Sequence, residues 1–235
     1  ALCLSGRMLP AAERIEQGIE SARLLGEPGT LAHALDFATL FYRMCEDTDK
    51  TIQNANALTD CATEYGFADY ELRARAFRGW AIARAGDVET GLPEMRASIL
   101  AQRDTGMSED FPLFLQMLAE LHAQAGQYAD GLTALDEALA EATKNESAFW
   151  TPAIRRCQAR LILESNASRR DDAEHCLRAG LTLAVEQGAK LHELGLYLDL
   201  AQLRLSPQSL VKALQKLRAL YLSMNDGFEI AIYAD

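Results

Sequence analysis

The side chains that could do chemistry are scattered along this chain. Nucleophilic or metal catalysis needs a base or a second ligand held close, and His33, His122, His175 and His192 have no neighbours at a spacing that supplies either. No HExxH, phosphate-cradling glycine loop or GxGxxG run occurs. The five cysteines, Cys3, Cys45, Cys61, Cys157 and Cys176, are odd in number and lack CxxC spacing, which argues against a zinc ribbon and a disulfide framework. The carboxylate pairs Glu46-Asp47 and Asp171-Asp172 sit in polar turns, where they read as helix caps rather than as an acid and its base. The residues therefore point to a non-enzymatic chain with no cofactor and no metal site.

The concentrated chemistry is cationic. Thirty-four acids against 23 bases give a net charge of −11, a whole-molecule field that repels nucleic acid and anionic membrane surfaces. Against that background Arg73, Arg75, Arg78, Arg84, Arg155, Arg156 and Arg160 gather in two short stretches. Two readings stay open for them: a positive patch that attracts an anionic ligand, or guanidinium groups that are solvated or paired with carboxylates on neighbouring helices. Trp80 and Trp150 are open in the same way, as core filler between repeats or as a flat face for a ligand or an arginine.

The elements that position these residues form a repeat. Gly79, Gly86 and Gly91 recur forty positions later as Ala119, Gly126 and Gly131, within GWAIARAGDVETGL and AELHAQAGQYADGL. A small residue on one helix, a glycine at the turn and a small residue on the next helix let two antiparallel helices approach closely. Ala159 and Ala173 occupy the two helix sites one unit later, Ala38 marks the first helix of an earlier unit, and Ala201 and Ala213 serve a later one. Gly131, Ala134, Leu135, Ala138, Leu139 and Ala142 make a helical stripe, and Ala173, Cys176, Leu177, Gly180, Leu181 and Ala184 reproduce it. Cys157 and Cys176 thus fall on core positions and read as buried thiols.

Apolar and charged fractions of 49% and 24% are those of a globular protein rather than a disordered one. The expected organisation is a second helix of a truncated preceding repeat over 1–29, five hairpins over 30–226, and a tail over 227–235. About eleven helices follow. Asp69 is expected to cap the second unit, Asp110 with Pro112 to open the third, and Ser206-Pro207 to open the last helix. Because the pattern begins part-way through a hairpin and without Met, the chain reads as a fragment. The long segments have helical period, so the fold class is all-α, a right-handed α-solenoid of antiparallel hairpins. No apolar run approaches a membrane span and ALCLSGRMLP lacks the layout of a signal peptide, which makes the expected location cytoplasmic.

The small-residue spacing resembles the tetratricopeptide repeat, with Tyr128 at its aromatic site, Val88 departing from it, and a period longer than the usual 34 or so residues. FPLFLQMLAELHAQAGQYADGLTALDEALA, FWTPAIRRCQARLIL and AEHCLRAGLTLAVEQGAKLHEL are more specific. They resemble the maltose-activator-like C-terminal arrays of bacterial signalling proteins that carry a class III adenylate or guanylate cyclase, or a STAND ATPase, upstream. The resemblance covers roughly residues 30–228 and includes Gly79-Trp80, Pro112, Glu120, Gly126, Trp150, Arg156, Gln187, Gly188, Lys190 and Glu193. Ala153, Ala159-Arg160 and Gly227-Phe228-Glu229 depart from the family pattern.

That resemblance implies a regulatory interaction domain whose first helices line a concave face. Counting from the small site places Arg73, Trp80 and Arg84, then Gln116 and Glu120, then Arg156 and Arg160 on it. The implied partner is a protein or peptide segment, upstream domains of the same chain included, or a small anionic effector, with no nucleic acid and no membrane. A passive assembly scaffold and the effector domain of a transcriptional regulator are the alternatives.

Overall fold

A computed structural model of the chain describes residues 2–105, 110–145 and 148–204. These fold into ten α-helices, and no strand occurs among the described residues. The second helix expected in the fifth hairpin, with Ser206-Pro207 and Ala213, and the expected tail lie outside them.

Helix α1 (Met8–Leu25) is followed by α2 (Pro28–Met44), α3 (Thr48–Tyr65), α4 (Ala68–Arg84) and α5 (Val88–Thr105). Helices α6 (Phe111–Gln124), α7 (Tyr128–Lys144), α8 (Thr151–Ser165), α9 (Arg170–Glu186) and α10 (Lys190–Arg204) come next, with one turn of 3-10 helix at Ala148–Trp150 ahead of α8. The chain divides into two compact units, one built on α1–α5 and the other on α6–α10.

Local chemistry sets the boundaries. Before α2, the Glu27 carboxylate accepts from the Thr30 backbone N–H at 2.6 Å while Pro28 takes the first turn, where its missing N–H loses nothing. Its bonds to the Thr30 hydroxyl, then to the Thr30 and Gly29 amides, hold the carboxyl below the usual range. Asp47 Oδ1 caps α3 through Lys50 N at 3.0 Å, and Asp87 Oδ1 caps α5 through Thr90 N at 3.0 Å. Asp69 does not cap α4. The helix starts two residues earlier with Phe67 at the cap position, because Gly66 ends α3 in the left-handed conformation (φ 74°) and Phe67 packs on the core beside Tyr70. Asp69 and Glu71 instead place negative charge in the first turn, favourable to the helix dipole. Asp110 precedes α6, but its carboxylate does not cap the helix and accepts from the Trp150 indole N–H at 3.1 Å.

Within each hairpin the expected stripes face inward. On α7, Gly131, Ala134, Leu135, Ala138 and Ala142 are buried; on α9, Ala173, Cys176, Leu177, Gly180 and Ala184 are. Helix α6 is buried along all of 111–119. The turn between α2 and α3 departs from the glycine turns at Gly86 and Gly126: Glu46 takes the left-handed position at φ 55°.

Candidate functional site

The small residues mark the places where backbones meet. A Cβ on Gly79 would lie 2.8 Å from the Gly91 carbonyl oxygen and 2.9 Å from Met95 N, and a Cβ on Gly91 would collide with the Gly79 carbonyl oxygen and lie 2.6 Å from Ala83 N. Ala38, Ala119, Ala159 and Ala173 are fully or almost fully buried, and Ala201 is partly exposed. Gly86 and Gly126 are exposed and take left-handed turns instead.

The arginines of the first helices reach carboxylates of the adjacent repeat. Arg73 on α4 makes a fork to Asp36 on α2, with Nε–Oδ1 and Nη2–Oδ2 both 2.8 Å. Their side chains are 11% and 5% exposed, so the pair is largely withdrawn from water. At the other end of α4, Arg84 meets Glu46 at 3.1 Å on the surface. On α8, Arg156 and Arg160 stand one turn apart and both grip Asp199 of α10, at 2.8 and 3.1 Å for Arg156 and at 2.9 and 3.0 Å for Arg160. Gly195 makes room for this, because any Cβ there would occupy the Arg156 guanidinium's position. Burial would push the Asp199 carboxyl up, but hydrogen bonds from Arg156 and Arg160, together with their charge, outweigh it and hold the group below the usual range.

Two further arginines of these stretches also have partners. Arg78 Nε donates to Glu94 at 2.8 Å, and Arg155 Nη1 donates to the side-chain oxygen of Gln158 at 2.9 Å. Buried Gln158 also donates to Asp136 at 3.0 Å and accepts from the Cys176 thiol at 3.3 Å, joining α7, α8 and α9. Arg73, Arg78, Arg84, Arg155, Arg156 and Arg160 thus each meet a carboxylate or amide of the array, the second of the two readings open for them.

Trp80 and Gln116, both expected on the groove, are buried. Trp80 is 1% exposed, with the Arg43 guanidinium 5.2 Å from its ring centroid, and Trp150 is 3% exposed. Gln116 is buried and donates to Glu120 at 2.9 Å, leaving only Glu120 of that pair partly exposed. The reason is positional: the burial that a first helix receives from both flanking helices is wider than one face, and it takes in the residues beside each small site. Among the described residues, no group of three or more His, Cys, Asp or Glu side chains is placed to hold a metal ion. No described helix is long and apolar enough to cross a membrane.

Counting from the small sites missed two kinds of residue. Asp36 and Asp199, the carboxylates that receive the arginines, each lie two positions before a small residue, Ala38 and Ala201, and that shared register was a usable signal. The second is an aromatic face on α2–α4. His33 and Phe37 meet edge to face with centroids 4.8 Å apart, His33 Nδ1 and the Tyr70 hydroxyl are 3.1 Å apart, and Tyr70 meets Phe67 at 6.3 Å. Phe67 stacks on Tyr65 at 6.1 Å. Phe37 and Tyr65 are each about half exposed.

Stacked hairpins with paired charges define an all-α helical-repeat solenoid. No family model matches the chain. An uncharacterized protein of Rhizobium meliloti (strain 1021) is 26% identical over 192 residues, which are 80% of this chain and 18% of that protein. The chain thus spans about a fifth of the relative's length. Among solved structures, the apo form of RapI is similar with a TM-score of 0.63 at 13% identity, over 82% of this chain and 69% of that one. BtubC (BKLC) from P. vanneervenii is similar with a TM-score of 0.59 at 12% identity, over 96% of this chain and 93% of that one. Both likenesses concern the fold.

Proposed function

We propose that the chain is a non-catalytic protein-interaction domain, the sensory or autoinhibitory repeat array of a cytoplasmic bacterial signalling protein with a nucleotide cyclase or STAND ATPase upstream. The observation that carries the interaction reading is the assignment of the first-helix charges. Arg73, Arg84, Arg156 and Arg160 join one repeat to the next within each unit, so these charges serve the scaffold and the exposed faces are available for recognition. The same pairing argues against a small anionic effector held by these arginines, and favours a protein or peptide segment as the partner. The signalling context is supported by the resemblance of the repeats and by a relative more than five times longer than the matched stretch. Isothermal titration of the chain against the upstream part of its parent protein, with parallel assays of ATP hydrolysis and cyclic-nucleotide formation by the chain alone, tests this. Saturable binding without turnover is expected; turnover by the purified chain would overturn it.

A further inference from the structure

We propose that the aromatic face of α2–α4, made by His33, Phe37, Tyr65, Phe67 and Tyr70, docks a basic peptide segment bearing lysine or arginine side chains. The inference rests on the interaction reading above and names the chemistry of the partner.

The five rings form one chain of contacts, each touching the next, from α2 across the α3–α4 turn to α4. Rings in a core are covered on both sides, whereas Phe37 and Tyr65 at the two ends are 50% and 49% exposed. Phe67 and Tyr70 back onto the core and stay partly exposed, so the chain of rings presents an open aromatic edge suited to recognition.

Charge decides what covers it. Residues 27–71 carry nine carboxylates against two basic side chains, and the rest of α4 adds Arg73, Arg75, Arg78 and Arg84, within a chain of net −11. Both basic residues of 27–71 lie against other rings: Arg43 over Trp80 at 5.2 Å and Lys50 over Tyr42 at 4.6 Å. From outside the segment, Arg73 and Arg84 neutralise Asp36 and Glu46, and two further carboxylates, Glu27 and Asp47, cap helices. Glu64 and Asp69 remain exposed, next in sequence to Tyr65 and Tyr70 respectively. A hydrogen bond to the Glu64 carboxylate, with its charge, raises the neighbouring Tyr65 hydroxyl above its usual range.

An aromatic face rimmed by carboxylates suits side chains that are apolar along their stems and cationic at their tips. The methylenes of lysine or arginine lie on the rings, the charged head sits over a ring face or reaches the rim, and the acidic field steers the approach. Nucleic acid is repelled by the same field, and an acidic peptide would set like charges together.

The test is fluorescence anisotropy of the whole chain with a labelled peptide of alternating arginine and leucine, against the same peptide with glutamate in place of arginine. The expected result is saturable binding of the basic peptide alone, weakened about 10-fold or more by Phe37→Ala with Tyr65→Ala. Glu64→Gln with Asp69→Asn should weaken it further and flatten its salt dependence. Leu24→Ala with Leu100→Ala, removing exposed apolar groups elsewhere, should leave it unchanged, as should Asp171→Asn with Asp172→Asn. All substituted side chains are exposed, and circular dichroism verifies each variant's fold. Equal binding of the acidic peptide, equal loss in the control variants, or no binding of the basic peptide would overturn the proposal. If the basic peptide fails while the upstream part of the parent protein still binds, the docking chemistry is refuted and the interaction reading stands; if both fail, the reading itself falls.

Discussion

Glycine-to-alanine substitution should have opposite signs at two positions of this fold. Gly18, in α1, has nothing within 4 Å of an added Cβ, so Gly18→Ala gains helix propensity of about 0.5–1 kcal/mol without a clash. Gly91, in α5, gains the same propensity, but its Cβ would lie 2.6 Å from Ala83 N and 2.7 Å from Ala83 Cβ, and nearer still to the Gly79 carbonyl oxygen. Two of these three atoms are backbone and cannot rotate away, so α4 and α5 must separate. Overpacking of this kind costs roughly 1–3 kcal/mol, which outweighs the propensity gain and leaves a net loss of about 1–2 kcal/mol. For a chain of this size that is roughly 2–8 °C in Tm. Gly131→Ala should fall between the two, because its shortest contact, 2.6 Å, is to Leu161 Cδ2, the end of a side chain that can turn. Thermal and urea unfolding followed by circular dichroism measure the order Gly18→Ala above wild type, then Gly131→Ala, then Gly91→Ala lowest. A Gly91→Ala variant as stable as wild type would refute the claim that the hairpin needs backbone contact there.

The other predictions concern single groups. Glu46→Gly relieves a left-handed residue, worth roughly 1 kcal/mol, and removes a surface pair with Arg84 worth about 0–1 kcal/mol, so urea unfolding should show equal or slightly higher stability; a clear loss would make the pair dominant. Asp199, whose carboxyl is held low, contributes stability that is present above its unfolded value and lost as pH falls through its folded value. The gap between wild type and Asp199→Asn should therefore be full near neutrality and close between about pH 5 and pH 1; a gap independent of pH would contradict the pairing. Burial pushes the Cys3 thiol up to about 12, so its reaction with Ellman's reagent near neutral pH should be far slower in the native chain than in the unfolded one, and equal rates would count against that burial.

Much of the fold was legible because helix packing leaves a periodic trace. Small residues forty positions apart located the hairpin contacts at Gly79–Gly91 and Ala119–Gly131, and the stripes on α7 and α9 could be read residue by residue. Start positions were less legible where a competing interaction took the capping residue: Trp150 recruits Asp110, and the core recruits Phe67 so that α4 begins ahead of Asp69. The surface was least legible. Pairing across repeats depends on two helices at once, so the position of Arg73 did not reveal Asp36, nor that of Arg156 Asp199. Trp80 lies one residue from a small site and is covered by Arg43 from the preceding repeat, which no single-helix count contains. The aromatic face combines a first helix with the end of a second helix and a turn, and Tyr65 and Phe67 fall outside any first-helix register.

The central claim is that first-helix arginines tie repeats together rather than wait for an anion. A double-mutant cycle on Arg73 and Asp36 tests it most directly, using Arg73→Met, Asp36→Asn and both together, with stability read from urea unfolding. For a forked pair this withdrawn from water, either single change should cost about 3–5 kcal/mol, and the double should cost less than their sum by at least 1 kcal/mol or so. Additive effects, with coupling no larger than about 0.3 kcal/mol, would mean that the two side chains do not depend on each other, and would return Arg73 to the pool of groups free to bind a ligand.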